Sequence, residues 1–153
     1  MSGEDTGMLG TARIKEGVFQ SAGMLAIRIA LGVTFIVHGI PKFGPGFADF
    51  LESQSLPVAM HYPIALGEFL PGVLLIAGVL SRISGAVLAL LLFGILIVID
   101  GLFEGATLTG EAGVEWQLIL FAAALVCMVV GPGRASLAQL IGSRVKTFPR
   151  WLH

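Results

Sequence analysis

Charged residues and cysteine are scarce in this chain of 153 residues. Charged side chains make up 12% of the sequence, about half the share that a soluble domain usually carries. Cys127 is the single cysteine, which excludes an internal disulfide and any redox or metal motif built on two cysteines. Asparagine is absent, so N-linked glycosylation is excluded. No glycine-rich phosphate-binding loop is present, and nothing in the sequence points to a nucleic-acid partner.

Apolar residues account for more than half of the sequence. Hydrophobic residues make up 56% of the chain, and the mean hydropathy is +0.92, so we expect the protein surface to face lipid. Four apolar runs cover residues 22–40, 58–80, 83–103 and 115–130. Each is about 16 to 23 residues long, against about 20 needed to cross the hydrocarbon core. Because backbone groups in lipid must be bonded within the segment, we predict an all-α integral membrane four-helix bundle.

Proline and glycine clusters mark where the first and fourth runs end, at residues 41–46 and 131–134. Between the first and second runs, the apolar residues of 47–53 fall on one face at helical spacing, with acidic side chains opposite. This pattern predicts a short helix that lies in the membrane interface.

The distribution of positive charge predicts the orientation in the plasma membrane. Seven of the nine Lys and Arg residues flank one side of the predicted bundle: Arg13, Lys15, Arg82, Arg134, Arg144, Lys146 and Arg150. The opposite flanks hold only Lys42, so the positive-inside rule predicts cytoplasmic N and C termini. We therefore divide the chain into a cytoplasmic tail (1–21), a four-span membrane domain (22–134) and a basic cytoplasmic tail (135–153).

Two charged residues fall inside the predicted spans, where charge is costly. Arg28 lies one to two turns from the cytoplasmic end of span one, so its side chain either snorkels to the headgroups or pairs with a carboxylate. Glu68 lies near the midplane of span two and is too short to snorkel. A buried ion pair between Arg28 and Glu68, direct or through water, is one solution; a proton-handling role for Glu68 is another.

Polar residues also gather toward the predicted outer half of the bundle. His38 and Lys42 share one face of span one, Glu68 reaches the midplane, and Asp100 ends span three on the same side. The same side chains would serve equally to satisfy one another and fix the packing. One histidine with scattered carboxylates does not predict a metal site, and His61, which we place in a loop, receives no role.

Several short motifs follow one another in a set order: Arg28-Ile29-Ala30-Leu31-Gly32, His38-Gly39-Ile40-Pro41-Lys42-Phe43, Gly67-Glu68 and Leu80-Ser81-Arg82. In this order and spacing they resemble the DoxX family of small four-helix membrane proteins. The resemblance covers residues 22–103 well, and the fourth span fits more loosely.

The resemblance implies a membrane role linked to redox chemistry. DoxX relatives include membrane subunits of quinone-linked oxidoreductases, of respiratory or sulfur-oxidising type, and partners in complexes against oxidative stress. It implies other subunits as partners and quinone as a non-covalent ligand, with no covalently bound cofactor. Because the chain has no recognisable soluble redox domain, any catalysis would belong to such a complex.

Two functional hypotheses follow. In the first, His38, Lys42, Glu68 and Asp100 form a quinone or proton site: His38 and Lys42 donate hydrogen bonds to the quinone oxygens, and the carboxyls pass protons. In the second, the chain is a non-catalytic membrane adaptor whose polar residues only lock the bundle. A small-solute transporter fits less well, because four short spans show no inverted repeat.

Overall fold

The structure is a computed structural model that describes the backbone of residues 3–99 and 114–142, and the side chains of residues 17–99 and 114–140. The backbone of these residues is helical, with short connections and no strand. Six α-helices follow one another: α1 (Gly3–Gly39), α2 (Gly46–Ser53), α3 (His61–Ala77), α4 (Ser81–Val98), α5 (Glu115–Val130) and α6 (Leu137–Gly142). Two 3-10 helices, Ile40–Phe43 and Val58–Met60, precede α2 and α3.

Helix α1 begins well before the apolar run that we predicted as span one. It starts at Gly3, and its apolar part, together with the following 3-10 helix, covers Gly17–Phe43. The intervening sequence has no proline, so nothing in the backbone stops the helix where its hydropathy falls. The N-terminal tail predicted over residues 1–21 is therefore helical from Gly3 onward.

Three of the described segments are long and apolar enough to cross a membrane: Gly17–Phe43, Val58–Ala77 and Ser81–Val98. Helix α5 is equally apolar but has 16 residues, a rise of about 24 Å, so it is the short span that the sequence predicted. The outward side chains suit a lipid surface, since Phe19 is 73% exposed and Leu90 is 72% exposed. The prediction of an all-α, multi-pass membrane four-helix bundle is confirmed.

The bundle is built from two tightly packed helix pairs. Helix α1 packs along α3 and helix α4 along α5, while α3–α4 and α1–α5 contacts close the ring. The core between them is apolar, and Leu31, Phe35, Leu75, Leu88 and Leu92 are buried in it.

Glycines at the helix crossings determine how closely the two helices of each pair approach each other. At the α1–α3 crossing, a Cβ atom on Gly72 would lie 2.9 Å from the Gly32 carbonyl oxygen. At the α4–α5 crossing, a Cβ atom on Gly85 would lie 2.6 Å from the Met128 backbone nitrogen. Glycine at these positions therefore lets the helices of each pair approach until their backbones nearly touch.

The predicted short helix after span one is also present, as α2. Pro45 caps its start, and Leu51 is its buried residue. The helix covers Gly46–Ser53, one residue longer than the predicted segment. Its position at a membrane interface stays a prediction.

We predict that Gly85→Ala destabilises the protein by about 1 to 3 kcal/mol, because the added methyl group meets the α5 backbone rather than a flexible side chain. Gly94→Ala is the matched control in the same helix, because a Cβ atom there meets nothing within 4 Å. Thermal unfolding of both variants in one detergent, followed by circular dichroism, measures the difference. Equal melting temperatures for the two variants would contradict the tight crossing.

Candidate functional site

Two charged side chains are fully buried in the bundle, and they lie at different depths. Arg28 and Glu68 are each 1% exposed. Arg28 reaches the last turn of α3, where its Nε donates to the Leu75 carbonyl oxygen at 3.0 Å. Glu68 lies seven residues earlier in the same helix, about 10 Å away along the axis.

Three backbone carbonyls surround the Arg28 guanidinium. Besides Leu75, the acceptors are the Pro132 carbonyl, bonded to Nη1, and the Ala135 carbonyl, 3.0 Å from Nη2. Leu75 lies in the last turn of α3, where its carbonyl oxygen also accepts from the Gly78 N–H at 3.1 Å and belongs to the negative end of the helix dipole. Pro132 and Ala135 lie in the turn that follows α5. The negative ends of these peptide dipoles thus stabilise the positive charge of Arg28.

Glycine shapes the backbone around this guanidinium. Gly78 ends α3 with φ +71°, and a Cβ atom there would lie 2.8 Å from Arg28 Nη2. Gly131 and Gly133, on either side of Pro132, also have positive φ values of 85° and 69°. L side chains rarely adopt this conformation, so the glycines of these two turns allow the carbonyls to face Arg28.

A direct ion pair between Arg28 and Glu68 is not formed in the structure, which corrects the direct form of that prediction. Side chains of a helix lean toward its N-terminus, and for Arg28 this direction leads away from Glu68 and toward the end of α3. Snorkelling is not observed either, because Arg28 is buried among its acceptors.

Glu68 pairs with Lys42 instead. The Lys42 Nζ lies 2.5 Å from Glu68 Oε1, and the two side chains are 22% and 2% exposed. Lys42 belongs to the 3-10 helix that packs against α3, which brings its long side chain within reach of the middle of α3. Its Nζ also lies 5.2 Å from the centre of the Phe47 ring, a cation–π distance.

His61 positions the backbone of Lys42, a role that sequence reasoning missed. Its Nε2 lies 2.7 Å from the Lys42 carbonyl oxygen, and since a carbonyl only accepts, Nε2 carries the proton and donates. The ring stacks on Tyr62 at 4.5 Å and meets the edge of Phe47. His61 is the first residue of α3 rather than a loop residue. The sequence signal for this contact was the position of His61 near the start of span two, which the topology places beside Lys42 at the end of span one.

Two cavities meet at the Lys42–Glu68 pair. The first, of about 440 Å³, lies among α2, α3 and α4 and is otherwise lined by apolar residues such as Phe50, Leu91 and Ile95. The second, of about 520 Å³, lies among α1, α4 and α5. Lys42 and Glu68 line both cavities, so a ligand in either one would contact the ion pair.

The second cavity brings together three of the four predicted site residues. His38, Lys42 and Glu68 all line it, and Trp116 and Gln117 from the start of α5 join them. The fourth, Asp100, lies outside the described residues. Within residues 17–99 and 114–140, no three His, Cys, Asp or Glu side chains are grouped as metal ligands would be.

Buried acceptors without donors are found in this part of the bundle, and the Ser81 and Ser84 hydroxyls at the start of α4 also lack partners. Glu68 Oε2 and Gln117 Oε1 are both buried without a hydrogen-bond partner, although both residues line the second cavity. Glu115 Oε2, at the start of α5, is also buried without a hydrogen-bond partner. Leaving such a group unpaired costs about 1 to 3 kcal/mol. A ligand that donates hydrogen bonds into the cavity would recover this cost.

Comparison with known proteins gives two findings. Residues 23–101 match the DoxX family. The chain is also similar to a Bacillus subtilis (strain 168) protein named "Putative oxidoreductase CatD", with 37% identity over 100 residues that cover 64% of this chain and 72% of the relative. No solved structure gives a significant match.

We predict that Arg28→Lys lowers the stability of the bundle by about 1 to 3 kcal/mol, because the three carbonyls accept from three separate guanidinium nitrogens, whose positions a single ammonium nitrogen cannot reproduce. Arg82→Lys, at an exposed position near the same end of the bundle, is the control and should change stability by less than about 0.5 kcal/mol. Thermal unfolding in detergent measures both. A melting temperature for Arg28→Lys equal to that of Arg82→Lys would show that the carbonyl contacts do not stabilise the fold.

Proposed function

The chain belongs to the DoxX family of membrane proteins, and on that premise we propose that it is the quinone-binding subunit of a membrane redox complex. The oxidoreductase name of the Bacillus subtilis relative supports a redox role. The Lys42–Glu68 pair between two cavities supports quinone as the ligand.

The observation that carries this proposal is the state of Glu68. One carboxylate oxygen is held by Lys42, while the other is buried and has no donor, in the wall of a cavity of about 520 Å³. One O–H group of a quinol satisfies Glu68 Oε2, and the oxygen of its second O–H group accepts from Lys42 or His38. The oxidised quinone offers carbonyl oxygens, which accept from Lys42 or His38 but cannot donate to Glu68. The apolar first cavity suits an isoprenoid tail.

The unpaired acceptors favour the reduced ligand. A quinol carries two O–H donors, and Glu68 Oε2 and Gln117 Oε1 are both acceptors without partners. Oxidation of a quinol releases two protons and two electrons. In this proposal Glu68 accepts a proton, His38 passes protons onward, and the electrons go to a redox centre of a partner subunit, because this chain has no recognisable soluble redox domain.

The adaptor hypothesis rests on a different observation. Lys42 and Glu68 already satisfy each other in part, and Arg28 fixes helix ends without any role in chemistry. In that case the cavities are filled by lipid chains and the polar groups serve packing alone. Ligand binding separates the two functions.

We predict that Glu68→Gln weakens quinol binding about tenfold, a loss of about 1.4 kcal/mol, because the amide accepts more weakly than a carboxylate. Trp116 lines the second cavity, so quenching of its fluorescence by a short-chain quinol reports occupancy, and Trp116→Phe removes the signal. Glu52→Gln on α2, at an exposed position, is the matched control.

Two results would sustain the adaptor function instead. One is a folded wild-type protein that binds neither quinone nor quinol in detergent or in its native complex. The other is Glu68→Gln binding quinol as tightly as Glu52→Gln does. A loss of binding also in His38→Ala, with folding intact by circular dichroism, would support the proton path.

We further propose that both termini are cytoplasmic. The support is the seven-to-one distribution of Lys and Arg and the fold, because Arg28 joins the end of α3 to the turn after α5 and so places these two elements at one end of the bundle.

We predict that green fluorescent protein fused after residue 153 fluoresces, and that alkaline phosphatase inserted within residues 105–113 is active, because the first folds only in the cytoplasm and the second only outside it. Exchanging the two reporters between these two positions provides the control, because both should then be inactive. Activity of alkaline phosphatase at the C-terminus would reverse the orientation.

A further inference from the structure

A third cavity, of about 440 Å³, lies at the opposite end of the bundle from the Lys42–Glu68 pair. We name it the basic cavity, because Arg82 and Arg134 line it together with Gln20, Ser21, Met24 and Gln139. It belongs to neither of the cavities that the proposed quinone site uses.

The two arginines come from separate elements and converge on this cavity. Arg82 is the second residue of α4, and Arg134 lies in the turn after α5. The Arg134 Nη1 lies 3.3 Å from the place of a Cβ atom on Gly17, so its guanidinium rests against α1. Among the carboxylates whose side chains the structure describes, neither arginine has an ion-pair partner. The cavity thus presents two positive charges and several amide or hydroxyl groups.

The depth of the basic cavity identifies its surroundings. The apolar part of α1 begins at Gly17, α4 begins at Ser81, and α5 ends at Val130. Gly17, Arg82 and Val130 all line the cavity. Because apolar spans end where the hydrocarbon core ends, the cavity lies at the level of the lipid headgroups.

We propose that the basic cavity binds the phosphate of an anionic phospholipid. Arginine binds phosphate oxygens through two parallel N–H donors, and two arginines from different elements can hold one phosphate from two sides. Met24 and Val130 provide an apolar floor for the glycerol and upper acyl carbons. Gln20 and Gln139 can donate to a polar headgroup. Basic pockets between spans on the cytoplasmic side are a recurring way to select anionic lipids.

A bound lipid would also act on the fold. The turn that carries Arg134 is the same turn whose Pro132 and Ala135 carbonyls accept from Arg28. A phosphate held by Arg82 and Arg134 would join the start of α4 to this turn. Because a ligand that binds only the folded state stabilises it, an anionic lipid should raise the melting temperature.

Native mass spectrometry of the full chain in detergent, with equal amounts of phosphatidylglycerol and phosphatidylcholine, tests the proposal. We expect phosphatidylglycerol adducts to dominate in the wild type and to fall at least fivefold in Arg82→Gln/Arg134→Gln. Arg144→Gln/Lys146→Gln is the matched control, since it removes the same number of positive charges from the C-terminal tail. Arg82→Lys/Arg134→Lys keeps the charge but loses the paired donors, and should fall between.

Equal loss of adducts in the cavity variant and the tail variant would overturn the proposal, because general surface charge would explain it. Inorganic phosphate in the same detergent separates the two sources of phosphate. If millimolar phosphate raises the melting temperature as much as phosphatidylglycerol does and displaces the lipid, the cavity is a free-phosphate site and the lipid assignment is wrong. The two cavity variants alter exposed residues, and an unchanged circular dichroism spectrum confirms that each of the three double variants folds.

Discussion

The bundle is organised around the need to stabilise one buried positive charge, that of Arg28, within a membrane. Arg28 is buried, and in an apolar surrounding an uncompensated guanidinium would be very costly. The structure meets this need with backbone carbonyls from the end of α3 and from the turn after α5. Three features follow from this one contact. Helix α3 must stop at Ala77, Gly78 must leave room for the guanidinium, and the Gly131-Pro132-Gly133 turn must fold back across the bundle.

Close helix crossings and open cavities occur side by side in this bundle. Glycines bring α1 against α3 and α4 against α5 until the backbones nearly touch, and a Cβ atom on Gly39 would lie 3.0 Å from the Phe69 backbone nitrogen, next to Glu68. Toward that end, the 3-10 helix and α2 are inserted between the spans, and the Lys42–Glu68 pair stands between two cavities. Closely packed helices around open cavities give a site with fixed walls and space for a ligand. Unpaired polar atoms such as Glu68 Oε2 are costly in a scaffold but useful in a binding site.

Hydropathy and helix-breaking residues were enough to predict the spans, because a chain in lipid must satisfy strict limits on length and backbone bonding. The start of α1 was not predictable, since helix formation continues where hydropathy no longer indicates it. The convergence of His38, Lys42 and Glu68 followed from helical spacing and topology. The partners of Arg28 and the contact from His61 to Lys42 did not, because both use backbone carbonyls. A carbonyl is present at every residue, and only the fold determines which carbonyl oxygens face a given side chain.

The distribution of the Arg28 acceptors along the chain has a consequence for biosynthesis. Its partners lie 47, 104 and 107 residues further on, and a chain grows at about 5 to 20 residues per second. Arg28 is therefore synthesised roughly 5 to 20 seconds before its last acceptor. During this interval the guanidinium must stay near the headgroups or with the insertion machinery. The Arg28 hydrogen bonds are complete only when the turn after α5 has formed, so the first span to be synthesised is among the last to gain all of its contacts.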